Sequence, residues 1–343
     1  MTSKTKINQL RWLAATLMLV AAMVMPSTAW AQTMYTVFDT SSGTLTFKYD
    51  NNKPESTDTE NVYNIPITST TPGWKDHASA IKKVVFDASF AHVRPTTCNF
   101  WFKGCSQLTE IQGIANLNTS EVTSMVLMFY GCSRLISLDL SGFDTQKVVH
   151  MDRMFSNCNN LKTIFVSDKF VTTAVQSSSD MFSSCTSIEG AILYDPSKTD
   201  ATYAKCTNGY FTNVSEKANF GSLAVYNSSS YTLTFKYGNK TKLDTGETAY
   251  ELNTGKTAPE WISNTGITKV VFEMSFANAL PTSCFQWFKG LSSLTTIEGI
   301  GYLNTSEVTD MNEMFSGCSS LSSLQLTTFN TAKVTDMTRM FYN

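Results

Sequence analysis

Eight cysteines, three histidines and a thin scatter of carboxylates are the residues of this 343-residue chain that could do chemistry. Five of the cysteines keep step. Cys105, Cys132, Cys158 and Cys185 are 26 or 27 residues apart, and Cys318 takes the same place further along. Each stands three residues behind the aromatic of a pair: Trp101-Phe102, Met128-Phe129, Met154-Phe155, Met181-Phe182 and Met314-Phe315. A periodic thiol can be a metal ligand, half of a disulfide, a nucleophile or a small apolar filler. The chain supplies its own control, because "FKGC" ending at Cys105 recurs as "FKGL" ending at Leu291. Neither a metal ligand nor a disulfide survives exchange for leucine, so this column reads as packing, with an occasional bridge between neighbouring repeats as the alternative. Cys98 and Cys284 correspond between the two halves and read as structural, while Cys206 has no counterpart. Trp in place of Met at Trp101 and Trp287 argues the same way for the aromatic pair: core, not a cofactor box.

The other reactive groups form no constellation. His77, His92 and His150 are singletons, and the last two align with Asn278 and Asp336. A Cys158–His150 nucleophile pair is conceivable, but its thiol belongs to the packing column. No H-E-x-x-H, G-x-S-x-G, phosphate-cradling glycine loop or D-x-D-x-D-G calcium loop occurs. The expectation is a chain that is not an enzyme, with no catalytic residue, cofactor or metal.

The elements that position these residues are repeats within repeats. "TLTFKY" occurs at 44–49 and 232–237, "KVVF" at 83–86 and 269–272, and "LNTSEVT" at 117–123 and 303–309. Val84–Asn157 aligns with Val270–Asn343 without a gap at 45 identities in 74 positions. After each aromatic pair comes an L-x-x-L-x-L stretch, such as Leu135, Leu138 and Leu140, ending in apolar–polar alternation that predicts a short strand. Val122, Met125, Met128 and Cys132 recur at helical intervals, which predicts a short helix or 3-10 return. The expected fold class is therefore an α/β repeat, a leucine-rich-repeat solenoid in two tandem modules, each led by a small β-rich cap. The boundaries read as signal peptide 1–31, β-rich cap 32–83, repeat stack 84–220, second cap 221–269 and second stack 270–343. A separate binding domain is the alternative for each cap. Asn343 aligns with Asn157 in mid-repeat, so the second stack reads as truncated, as a fragment, or as capped by something else.

Composition bounds the setting. Net charge is −2, 42% of residues are hydrophobic and 16% charged, with no basic block to suggest nucleic acid. Lys4, Lys6 and Arg11 precede the apolar run 12–25, and Ala29-Trp30-Ala31 follows. A basic segment, a 14-residue apolar run and an A-x-A site make a secretory signal peptide cut after Ala31, with a buried core helix as the alternative. The run is short for a bilayer span of about 20 residues. The mature chain is expected to be exported, at the cell surface or outside the cell, without a membrane span.

The stretch "LNTSEVTDMNEMFSGCSSLSSLQLTTFNTAKVTDMTRMF" (303–341) resembles the BspA-like leucine-rich-repeat surface proteins of Bacteroidetes-type bacteria. Phe143-Asp144-Thr145, Val148, Met151, Met154-Phe155, Cys158 and Leu161 follow the pattern of their repeat, with Val149-His150 departing from its T-D. The resemblance implies a surface or secreted protein associated with adhesion to host matrix or to other cells.

The outward strand positions then become the candidate ligand-binding face: Glu110, Gln112, Ser137, Asp139, Thr163, Phe165, Thr296, Glu298, Ser323 and Gln325. Phe165, an aromatic among polar neighbours, is the expected anchor, unless it packs against the irregular fourth repeat. The expected partner is a protein on host matrix or on another cell. Glycan capture and a structural spacer without its own ligand are the alternatives.

Overall fold

The structure, a computed structural model, describes residues 32–342 apart from 67 and 69. The signal-peptide expectation for 1–31 lies outside the described residues. Thirteen strands occur among them, in three sheets. β1 (Thr33–Asp39), β2 (Thr44–Asp50) and β3 (Glu60–Asn64) form an antiparallel unit. β4 (Lys83–Phe86) and β5 (Glu110–Gln112) extend it in parallel, in the order β3-β1-β2-β4-β5. β6 (Ser137–Asp139), β7 (Thr163–Val166) and β8 (Phe211–Asn213) make a separate parallel sheet. β9 (Phe220–Asn227), β10 (Thr232–Asn239), β11 (Glu247–Glu251), β12 (Lys269–Phe272) and β13 (Thr296–Glu298) repeat the first sheet in the order β11-β9-β10-β12-β13. Period-two patterning drives the pairing. Leu45, Phe47, Val84 and Phe86 are buried on one face while Thr44, Thr46, Lys83 and Val85 alternate on the other.

This corrects the expected α/β leucine-rich-repeat solenoid. The described residues form three separate β-sheets, two mixed and one parallel, and no α-helix occurs among them. Two local features explain the difference. The first lies in the segments read as helical returns. Their amides alternate between two jobs: those of Trp101, Lys103 and Cys105 bond the carbonyl three residues back, whereas those of Phe100, Phe102 and Gly104 bond Val126, Met128 and Tyr130 in the next repeat. Leu127, Phe129 and Gly131, then Arg153, Phe155 and Asn157, repeat the lateral set. An α-helix needs every amide for its own i−4 carbonyl, so a segment that gives half of them sideways becomes a file of tight turns. The helical spacing of Val122, Met125, Met128 and Cys132 is the period of those turns.

The second feature breaks the sheet. Gly113 and Gly299 follow β5 and β13 in the left-handed region, at φ 65° and 66°. A Cβ on either would strike the carbonyl oxygen of Phe86 or Phe272. The chain therefore curls back against β4 or β12 at the end of the short strand. Asn116 Nδ2 reinforces the first curl by donating to Phe86 O at 3.0 Å. β5 and β6 thus fall in different sheets, and Ser323 and Gln325 lie outside the described strands.

Two apolar cores result, one running from Phe38 to Phe211 and the other from Ala224 to Met340. Down the first run the stacked rings Phe102, Phe129, Phe155 and Phe182, with centroids 5.4, 5.8 and 5.5 Å apart. Phe288, Phe315 and Phe341 repeat the column at 5.3 and 5.6 Å. Each core is tied to its leading sheet by an indole, Trp74 or Trp261, whose Nε1 donates to the carbonyl of Trp101 or Trp287 at 2.7 Å. Phe155 is fully buried between two rings. Phe155→Ala is expected to destabilise the protein by about 3–5 kcal/mol, read as a lower urea midpoint with an unchanged slope.

Candidate functional site

The predicted face divides into a covered and an open part. β5, β6 and β7 carry Glu110, Ser137, Asp139, Thr163 and Phe165, and the start of the second half of the chain lies across them. Phe165 is 1% exposed and meets Phe220 edge-on at 5.1 Å, with Tyr237 behind Phe220 at 6.2 Å. The expected exposed anchor is thus already seated, and Thr163 is buried with it. Lys217 Nζ pairs with Asp139 Oδ2 at 2.5 Å, and Lys162 Nζ with Glu273 Oε2 at 2.9 Å. Asn278 Nδ2 donates to Thr109 O at 3.1 Å. These contacts enclose a cleft of about 470 Å³, lined by Glu110, Ser137 and Asp139 on one wall and by Tyr237, Asn278 and Asn304 on the other.

The cleft's electrostatics follow from that closure. Burial pushes the Asp139 carboxyl up. The Lys217 ammonium, with the Ser141 hydroxyl and amide, outweighs it and holds the group below the ordinary carboxylate range. The Tyr237 hydroxyl is raised by burial, with a hydrogen bond to Ser137 pulling against the rise and the Asp139 charge adding to it.

The open part begins at the cleft's rim. Glu110 and Gln112 are exposed there, and Gln112 Nε2 donates to Glu110 Oε1 at 2.6 Å. Thr296, Glu298, Ser323 and Gln325 are all exposed, and Glu298 pairs with Lys269 across β12–β13 at 2.8 Å. No part of the described chain is laid across them as the second half lies across Phe165. Sequence reasoning missed Lys217, Phe220 and Tyr237, the residues that close the cleft. A partial signal was present, since Phe220 and Tyr237 lie in β9 and β10, and β9 carries apolar residues on both faces at Leu223–Tyr226.

The cysteine column is chemically quiet. All eight thiols are free, and Cys105, Cys132, Cys158, Cys185 and Cys318 are buried. Cys132, Cys158, Cys185 and Cys318 each place Sγ 2.9–3.2 Å from the carbonyl oxygen of the aromatic residue one repeat back, Phe102, Phe129, Phe155 or Phe288. The S–H donates as a second partner to a carbonyl that already accepts the amide three residues on, as Phe102 O does from Cys105 N. Burial raises these thiols, Cys105 and Cys185 to about 12 and Cys318 to about 11, with Cys132 and Cys158 also well above the usual value. Thiolate is the reactive form, so none is primed as a nucleophile or ligand. Among the described residues no group of three or more His, Cys, Asp or Glu is placed to hold a metal ion.

Two measurements check this site. Under native conditions at pH 8, Ellman's reagent should label Cys206 alone, which is only half-buried, and all eight thiols after denaturation. Lys217→Glu should loosen the junction and raise the radius of gyration in small-angle scattering, while costing about 1 kcal/mol or less because the pair is half in water. Because the folded Asp139 carboxyl sits below its unfolded value, its contribution is complete above about pH 4 and is lost as pH falls further. Acid should therefore reproduce the variant's expansion.

Comparison with known proteins follows the duplication. The family described as "Mycoplasma protein of unknown function, DUF285" matches at residues 96–219 and again at 282–343, more than half the chain in two blocks. No curated protein matches. Among solved structures, a leucine-rich repeat protein from Bacteroides ovatus ATCC 8483 is 14% identical over 82% of this chain and 78% of that one, at a TM-score of 0.17. A leucine rich cell surface protein from Faecalibacterium prausnitzii A2-165 is 15% identical over the same shares, at 0.19. Overlaps that slight carry no argument about fold or role. No helix among the described residues is long and apolar enough to cross a membrane. With both aromatic-pair and cysteine blocks falling inside the matched segments, the chain belongs to the DUF285 family.

Proposed function

We propose that this chain is a non-enzymatic, exported interaction protein of the BspA-like surface type. It holds proteins of host matrix or of other cells through the outward face around β13. One observation carries the reading: the equivalent face of the first half already holds a folded protein surface, the start of the second half, through Phe165, Asp139 and the Thr109 carbonyl. A surface of this build is therefore competent to bind protein. Its counterpart at Thr296, Glu298, Ser323 and Gln325 remains in solvent. The secretion-type N-terminus, the repeat pattern and buried, protonated thiols agree with a binding role rather than a catalytic one.

The face is polar and shallow, so affinity must come from many weak contacts and from repetition on a surface rather than from one deep pocket. Thr296→Arg with Glu298→Arg changes the sign and shape of the face while touching no core residue. The double variant should bind immobilised matrix proteins or intact cells at least about tenfold more weakly than the parent, with the same melting temperature. Binding by the parent no better than background, or equal binding by both, would refute this reading.

A further inference from the structure

The duplication that built the chain also repeats part of each side of its internal junction, and among the described residues one copy of each is covered while the other is exposed. The docking side used by the second half comprises Phe220, Tyr237, Ala277, Asn278 and Leu280. By strand register and sequence alignment its counterparts in the first half are Gln32, Tyr49, Ala91, His92 and Arg94. Gln32, His92 and Arg94 are exposed, and they rim with Met34 and Tyr49 an open hollow of about 540 Å³. The receiving side used by the first half comprises Thr109, Glu110, Ser137 and Asp139. Its counterparts in the second half are Thr295, Thr296, Ser323 and Gln325, all exposed.

We propose that these two exposed sides bind each other between copies of this chain, so that part of the internal junction recurs as a head-to-tail contact. This names the partner of the face read above as an interaction surface, and it rests on that reading. Part of the chemistry carries over: the counterparts of Phe165, Lys162 and Lys217 are not among the described residues, and Gln325 stands where Asp139 does. Tyr49 takes the place of Tyr237 and faces Ser323 as Tyr237 faces Ser137 across the cleft. His92 donates to the Thr295 carbonyl as Asn278 Nδ2 does to that of Thr109. Arg94 replaces Leu280, which lines the internal cleft beside Glu110, so the intermolecular version brings a cation to the rim at Thr296 where the internal one has an apolar side chain. Gln32 stands where Phe220 does, so the ring contact of Phe165 has no equivalent and the new contact is the more polar.

The geometry sets the assembly. Donor and receiver are different surfaces on one chain, so the contact is heterologous and propagates into open chains or rings rather than closing as a two-fold dimer. Tethering gives the internal junction an effective concentration of about millimolar. Separate copies lack that advantage, and association is favoured at high local concentration, as on a crowded surface.

Sedimentation velocity over a concentration series tests this on protein purified after expression of the whole sequence. The parent should show an average mass that rises with concentration beyond a dimer. Arg94→Glu removes the donor side and Ser323→Arg blocks the receiver. Both positions are exposed, and unchanged melting will show that both variants fold. Each alone should associate at least about tenfold more weakly. Mixed, they retain one good donor and one good receiver, and should form a one-to-one dimer and nothing larger. A parent that stays monomeric throughout, association that survives both substitutions, or a mixture that fails to dimerise would overturn the head-to-tail contact. Matrix or cell binding that persists in a strictly monomeric parent would refute self-association while leaving the surface-binding reading standing. Loss of both would remove the two together.

Discussion

The alternating use of backbone amides along the aromatic-pair segments is the constraint on which the rest of the structure depends. One amide closes a turn on itself and the next reaches the neighbouring repeat, and the same division returns in successive segments. That division requires a left-handed residue before each aromatic pair, and Phe100, Leu127, Arg153 and Asp180 supply it at φ 53–65°, as do Gln286, Glu313 and Arg339 in the second half. None is glycine, and each such conformation costs about 1–2 kcal/mol. The cost is met because the same geometry aims three amides of each segment at carbonyls of the next repeat. It also lays Phe102, Phe129, Phe155 and Phe182 in one column.

From that lattice the cysteine's role follows. The turn leaves the carbonyl of each column phenylalanine facing the next repeat, where the residue three places behind the aromatic pair comes to lie. A thiol there is small enough to be buried and still offers a weak donor. Cys105, at the head of the column, makes no such bond, and its counterpart Leu291 is equally buried. The result is a molecule whose potentially reactive groups are locked into structure, leaving polar strand faces as what it presents to others.

The junction between the halves is of a different kind. It is made by the Phe165–Phe220 contact, the Lys162–Glu273 pair and the Asn278–Thr109 hydrogen bond around a cleft, with Lys217 of the connecting segment pairing with Asp139, not by fusion of the two cores. Partly exposed pairs contribute little stability each, but they fix register and orientation. A shallow, polar contact of this type is what a repeated surface can offer many times over. It gives specificity by position and strength by number.

Much of this was legible in the residues. The duplication, the 26–27-residue period, the apolar identity of the aromatic pair and the cysteine column, and the alternation that places Thr296 and Glu298 outward are all local or periodic facts. Side-chain exchange between aligned copies, such as Cys105 with Leu291, reports the environment directly. The fold class was not legible, because helical spacing and a file of three-residue turns bury the same positions. The two differ in where the amides bond, and amides carry no sequence label. Nor was the fate of Phe165. Its strand says only that it points outward from its own sheet, and whether outward means solvent depended on Phe220 and Tyr237 arriving from the other half of the chain. The sequence by itself determined which residues are interchangeable and therefore structural. Only the tertiary structure decided which outward face stays open, because covering a surface is a contact between segments far apart in the chain.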